Sequence, residues 1–406
     1  MRTIVLRRWF VVHKWTSLAC TLFLLVICLT GLPLVFHEEI HDWQDPDPPY
    51  AVLPDSAPRA DLDRLTAEAR RLYPGQIVTS VAIDDDEPQV FVALAPSWAA
   101  LEADPDAGRF VRFDARTGAV LERSKPPAEQ HQTFLGLMFR LHVDLFAGLG
   151  GELFLGAMAL LFVAAIVSGV VLYGPFMKRL PFGSVRTRRT ARLRWLDLHN
   201  LIGIVLAVWT VVVGLTGAMN ELSTPLFAMW QRTDVAAMVA PWKGKPPPAP
   251  GELSSVQGAF DTAQKALPGM IVTSIIFPGG RFGSLHHYLL FTKGRTPLTA
   301  RLFSPVLIDA RTGALTAAVR MPWYLRTLEI SRPLHFGDYG GMPLKILWAL
   351  FDLVTIVVLL TELVLWFRKR SKPHLSSGAQ SRAVGADPDD MLEPVVSPHA
   401  AREAAR

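Results

Sequence analysis

The sequence predicts an integral membrane protein, mainly α-helical: a four-helix transmembrane bundle that arose by internal duplication and carries two small α+β modules. Three observations lead there. Half of the residues are hydrophobic and only 19% are charged, too apolar a balance for an ordinary soluble domain. Four apolar runs reach the length of about 20 residues that a helix needs to cross a bilayer. The chain also repeats itself at an offset of 193–195 residues, the mark of duplicated architecture.

The elements follow in order. Residues 1–36 hold Arg2, Arg7, Arg8 and Lys14 and then the apolar run 18–36. No small-residue cleavage site follows that run, so a retained first helix is expected rather than a signal peptide. Residues 37–140 read as the first module. There "DLDRLTAEARRLYPG" has apolar residues at helical spacing and ends in Pro-Gly, and the strands "QVFVAL" and "RFVRFDA" alternate. Asp-Ala-Arg-Thr-Gly is a turn signal between strands, its glycine supplying positive φ. Residues 141–176 form the second helix. Residues 177–198 are a loop, and its stretch 178–195 has seven basic residues and no acidic one. Residues 199–220 form the third helix. Residues 221–334 form the second module, entered through "GKPPPAPGEL", and 335–368 the fourth helix. The tail 369–406 is rich in Ser, Ala, Pro and charge, the composition of disorder.

Lys and Arg cluster at the N-terminus, in the 177–198 loop and in "RKRSK" after the fourth helix. The positive-inside rule places both termini and that loop in the cytoplasm. Both modules then lie in the periplasm of a bacterial inner-membrane protein. The net charge of +5 reflects this asymmetry, and nucleic acid is not an expected partner. Cys20 and Cys28 lie eight residues apart on one helix and cannot form a disulfide framework. C-x-x-C-H does not occur, which excludes covalent c-type haem. G-x-G-x-x-G and P-loop patterns are also missing.

The repeat pairs "YPGQIVTSVAI" at 73–83 with "LPGMIVTSIIF" at 267–277, and "RFDARTGAVLE" at 112–122 with "LIDARTGALTA" at 307–317. His13 is followed by Thr30-Gly31 and His199 by Thr216-Gly217, at the same spacing of seventeen. His142 leads into the second helix and His335 into the fourth, an offset of 193. Together with "LHFGDYGG…LW", these features resemble the PepSY-associated transmembrane family over roughly 5–370. That resemblance implies PepSY-like periplasmic modules and a role in iron uptake. Some members look like di-haem inner-membrane reductases of ferric siderophores.

The positions of the histidines lead to the same chemistry from the residues. His13 and His199 precede their helices at the cytoplasmic side, and His142 and His335 at the periplasmic side. A rise of about 1.5 Å per residue sets the two levels roughly 20–30 Å apart. Two imidazoles facing each other across a bundle hold one haem iron. Four therefore suit two stacked b-type haems, His13 with His199 and His142 with His335. The competing reading is that these are interfacial histidines. His37 and His41 lack repeat counterparts, since Glu221 and Ser223 stand there. His131 lies too far before its helix, His286 and His287 fall in a module, and His374 and His399 in the tail. Gly31, Gly169 and Gly217 offer room for a macrocycle or serve plain helix packing. Arg140 and Arg332 on one side, and Lys14 and Arg194 on the other, are candidate propionate partners; anchoring explains Lys14 and Arg194 equally well. Glu362, at the repeat position of Gly169, is an intramembrane carboxylate suited to a proton or quinol contact, or to an interfacial ion pair.

The expected function is one-electron reduction of a periplasmic ferric siderophore, which releases iron because Fe(II) binds hard oxygen donors weakly. Electrons enter from a cytoplasmic reductase or a quinol, and an inner-membrane siderophore or iron importer is a possible partner. No catalytic residue beyond the haems is required. Trp43, Trp323, Tyr324, Arg326 and Arg332 line a mouth for the chelate or form an aromatic belt. Two other classes stand beside this one: a non-redox scaffold or sensor whose modules bind a peptide or protein, and a siderophore or haem transport component.

Overall fold

The computed structural model describes residues 3–370 apart from 45–49, 55–56, 105–106, 126–131, 179, 280–283 and 297–298. His131 and the tail bearing His374 and His399 lie outside the described residues. Among the described residues four helices are long and apolar enough to cross a membrane: α1 (Thr3–Val35), α6 (Leu149–Met177), α7 (Ala191–Asn220) and, through Phe367, α12 (Gly341–Arg370). α1 and α7 each pack on both α6 and α12, which closes a four-membered ring. Each helix outruns its apolar stretch by several residues. His13 and His199 therefore lie inside α1 and α7 rather than ahead of them.

Shorter helices frame the bundle: α2 (His37–Gln44), α3 (Leu62–Leu72), α4 (Trp98–Ala103), α5 (Phe134–Val143), α8 (Ser223–Trp230), α9 (Ala236–Met238), α10 (Val256–Ala266) and α11 (Trp323–Phe336). His142 and His335 sit on α5 and α11, separate from the long helices that follow. The breaks have a backbone cause. Leu145, Phe146 and Gly148 take positive φ before α6, and Gly337 and Gly341 do so before α12, which no helix continues through. Asp144 braces the first break, accepting from the Phe146 amide at 2.9 Å and Arg140 Nε at 3.3 Å.

Outside the bundle the order helix, then four strands, occurs twice. α3 precedes β1 (Ile77–Ile83), β2 (Gln89–Ala95), β3 (Arg109–Asp114) and β4 (Val120–Arg123). α10 precedes β5 (Met270–Ile276), β6 (His287–Gly294), β7 (Phe303–Asp309) and β8 (Leu315–Ala318). The eight strands form one antiparallel sheet in the order β4-β3-β2-β1-β5-β6-β7-β8. The seam joins Val81 to Ile275 in register, and both are fully buried. α3 and α10 cover one face and cap each other: Asp63 accepts from the Val256 amide at 2.6 Å, and Gln257 accepts from the Leu62 amide at 3.1 Å. The opposite face of the second half packs Leu289 and Leu307 on Trp230 of α8 and on Leu325 and Leu328 of α11. That contact couples the sheet to the helix that carries His335.

Candidate cofactor-binding site

Each of the four repeat-matched histidines points its Nδ1 into a neighbouring long helix. His142 Nδ1 lies 3.0 Å from the Ile27 carbonyl and 3.3 Å from Thr30 Oγ1 of α1. His335 Nδ1 lies 3.1 Å from the Val213 carbonyl and 3.3 Å from Thr216 Oγ1 of α7. His13 Nδ1 meets the Ala165 carbonyl at 2.8 Å and Ser168 Oγ at 3.2 Å on α6. His199 Nδ1 meets Thr361 Oγ1 of α12 at 3.2 Å. A carbonyl acceptor selects the Nδ1–H tautomer, which leaves Nε2 as the free lone pair, as in a metal-ligating histidine whose other nitrogen is held by the protein.

The rings then pair as the spacing predicts. His13 and His199 have centroids 6.3 Å apart, and His142 and His335 6.2 Å apart. A metal–imidazole bond of about 2.0–2.1 Å, plus about 1.1 Å from nitrogen to ring centre on each side, sets two trans imidazoles about 6.3 Å apart. His13 with His199, and His142 with His335, would suit holding a metal that brings its other ligands with it. A bare zinc needs four protein or water ligands. Among the described residues only Asp84, Asp85 and Asp86 bring three such groups together, and they lie elsewhere. A b-type haem would fit such a pair, because its porphyrin would supply the remaining nitrogens. Seventeen residues of helix separate His13 from Thr30 and His199 from Thr216, so the two levels lie about 25 Å apart. A partly open cleft surrounds the first pair, lined by Ser17, Gly169, Tyr173 and Glu362 besides the two histidines.

The glycines have a more specific use than room for a macrocycle. A Cβ at Gly31 would sit 2.8 Å from His142 Cε1, one at Gly169 3.1 Å from His13 Cε1, and one at Gly217 3.1 Å from His335 Cε1. They admit the imidazoles themselves. The fourth equivalent position is Glu362, which accepts from Thr21 Oγ1 at 3.0 Å rather than from a basic residue.

The other singled-out residues fall as follows. Arg140 is held by Asp144 and lies over the Phe146 ring at 5.1 Å. Arg332 is exposed one turn before His335. Lys14 lies over Trp15 at 4.8 Å, and Arg194 is exposed. His37 bonds the Leu34 carbonyl, and His41 faces Asp42. His287 is fully buried in β6, 2.9 Å from Ser284 Oγ and edge-on to Trp242. His286 bonds the same Ser284 hydroxyl through its amide.

Some functional groups escaped the sequence reading. Ser168 and Thr361 occupy equivalent positions at an offset of 193 and hold His13 and His199; a small hydroxyl residue at both was the available signal. Lys345 is buried between Glu38 at 2.7 Å and Glu39 at 3.0 Å. Asp197 is buried against Arg186 at 2.7 Å, which ties the basic loop to α7.

The model of the PepSY-associated TM region matches residues 10–369. The chain belongs to this family. It is also similar to an uncharacterized protein of Pseudomonas aeruginosa, 26% identical over 263 residues, a match covering 58% of this chain and 64% of that protein. The chain thus spans less than two thirds of that relative's length. As a PepSY-associated TM protein it is a membrane protein with four apolar helices, and α1, α5, α7 and α11 bring four histidines together in two pairs.

Proposed function

We propose that the chain is a bacterial inner-membrane electron-transfer protein, built by internal duplication, that binds two b-type haems and reduces a periplasmic ferric siderophore. The observation that carries this reading is the two histidine pairs, each with Nδ1 held by the protein and centroids 6.2–6.3 Å apart. Both termini and the basic loop face the cytoplasm in this reading, and the sheet of two PepSY-like modules lies in the periplasm. Bound haem supplies a reversible one-electron couple.

The chain's own residues hold and insulate that couple. Nδ1 contacts to Ile27, Val213 and Ala165 fix ring orientation and raise imidazole basicity. Gly31, Gly169 and Gly217 let the rings lie against the helices. The apolar bundle would exclude water around two haem sites set about 25 Å apart. Glu362 and Thr21 border the cytoplasmic level, where the donor, a soluble reductase or a quinol, delivers electrons. The ferric chelate is the terminal acceptor, and an importer of iron or siderophore follows it.

The test is haem content. Protein purified after expression with a haem precursor is expected to carry two haems per chain by the pyridine haemochrome assay. The reduced protein is expected to be re-oxidised by a ferric trishydroxamate without oxygen. His142→Ala or His335→Ala should leave one haem and stop chelate reduction, while His13→Ala or His199→Ala should leave the other haem without its natural donor. A colourless protein would sink the reductase reading and favour a scaffold or sensor.

A further inference from the structure

Glu329 lies on α11, the helix that presents His335. Its side chain is buried, 6% exposed, and among the described residues neither carboxylate oxygen has a side-chain hydrogen-bond partner, the Phe303 amide of β7 being the polar group that faces it. Six residues separate it from His335, about 9 Å along the helix axis. The equivalent position in the first half, 193 residues earlier, is Gly136, so only one of the two halves has this group. A buried carboxyl without a side-chain partner in hydrogen-bond contact is costly to ionise. Burial raises its pKa to about 7, opposed by the Phe303 amide of β7 and by Arg326 and Arg332 of its own helix. From the elements packed against α11, α7 presents the neutral Asn220, already taken by Ser331 at 2.5 Å, and the segment after α8 presents Asp234, 3.5 Å from Tyr324.

The haem of the proposed function changes its charge by one unit at His335 when it is reduced. At about 10 Å in protein surroundings that charge alters the proton affinity of a carboxyl by on the order of tenfold. On the two-haem reading, we propose that Glu329 is the redox-linked proton site of the haem held by His142 and His335. The Glu329 carboxylate takes one proton from the periplasmic side as an electron reaches that iron. It releases the proton as the electron leaves for the ferric chelate, whose donor oxygens need protons once Fe(II) departs. One electron and one proton arrive together, and one of each leaves.

The experiment is a spectroelectrochemical titration of the purified, haem-loaded full chain between pH 6 and 8. In the wild type one of the two midpoint potentials should fall as pH rises, because the ionised carboxylate favours Fe(III). A tenfold difference in proton affinity corresponds to about 59 mV across that window for a one-electron couple. Glu329→Gln should bind two haems, match the wild type at pH 6 and have a higher midpoint at pH 8, with the slope flattened. Glu329→Leu, matched to the apolar surroundings, serves as the second variant if Gln does not bind haem. A slope unchanged in either variant overturns the proposal while leaving the reductase reading in place. Wild type without haem overturns the reductase reading itself.

Discussion

At the scale of single residues, the three glycines against histidine rings make the sharpest claim. Gly31→Ala places a methyl 2.8 Å from His142 Cε1, a contact relieved only by moving the ring. Haem content should fall from two towards one per chain, and the surviving haem should be the one held by His13 and His199. Gly174, exposed on α6 and outside the cleft, has nothing within 4 Å of a new Cβ, so Gly174→Ala should keep both haems. The turn aspartates predict acid sensitivity. Burial opposes ionisation of Asp114, but the amides of Thr117, Ala51 and Arg116 outweigh it and hold the carboxyl below its ordinary value. For Asp309 burial is again outweighed, by the Thr312 amide, the Trp242 indole N–H and the Arg311 amide. A carboxylate depressed in the fold stabilises fully above its unfolded value of about 4, and that stability is lost as pH falls through the folded value. Thermal unfolding temperature should therefore drop below about pH 4. Asp114→Ala should flatten that drop and cost about 0.5–1.5 kcal/mol at neutral pH by removing the shared acceptor of three backbone amides.

At the scale of elements, α2 is tied to α12 through one cation. Lys345 is 8% exposed, whereas Glu38 and Glu39 are 66% and 35% exposed. Removing both carboxylates strands a buried ammonium. The cost should fall between the ~0–1 kcal/mol of an exposed pair and the ~3–5 kcal/mol of a buried one. Unfolding of the double variant Glu38→Ala, Glu39→Ala in detergent checks it, and a change of a few tenths would show the pairs to be decorative. The short helices α5 and α11 have a related logic. Each sets a histidine against the end of a long helix, then turns through positive-φ residues into the next span. That break allows an imidazole to point across the bundle instead of along its own helix.

At the scale of the whole molecule, the β1–β5 seam makes one sheet of two similar halves. Proline at Val81 or Ile275 removes a ladder donor at the buried centre. Either substitution should lower the unfolding temperature of both halves together, in one transition. Independent melting of the two halves would show that the seam adds little. Sidedness is tested at exposed, repeat-matched turn positions: Ala119→Cys and Ala314→Cys should both react with an impermeant thiol reagent in intact spheroplasts. Labelling of one alone, or of neither before lysis, would reverse the proposed topology.

The sequence by itself determined what depends on periodicity and spacing. Apolar runs of bilayer length name the four helices, because a backbone in lipid must satisfy its hydrogen bonds internally. An offset of 186 residues pairs His13 with His199 and one of 193 pairs His142 with His335, because matched positions in similar halves come to matched places in the bundle. Tertiary structure alone decided what depends on neighbours distant in the chain. The Nδ1 acceptors Ile27, Ala165 and Val213 are backbone carbonyls, which every residue carries, so nothing in composition marks them. The joining of two modules into one sheet rests on the pairing of edge strands 194 residues apart, Val81 with Ile275, and most hydrophobic strands offer such an edge. Glu329 reads as an ordinary charged helix position until the sheet closes over it. Burial is a property of the packed molecule, and it changes a carboxylate's chemistry from solvated charge to proton carrier.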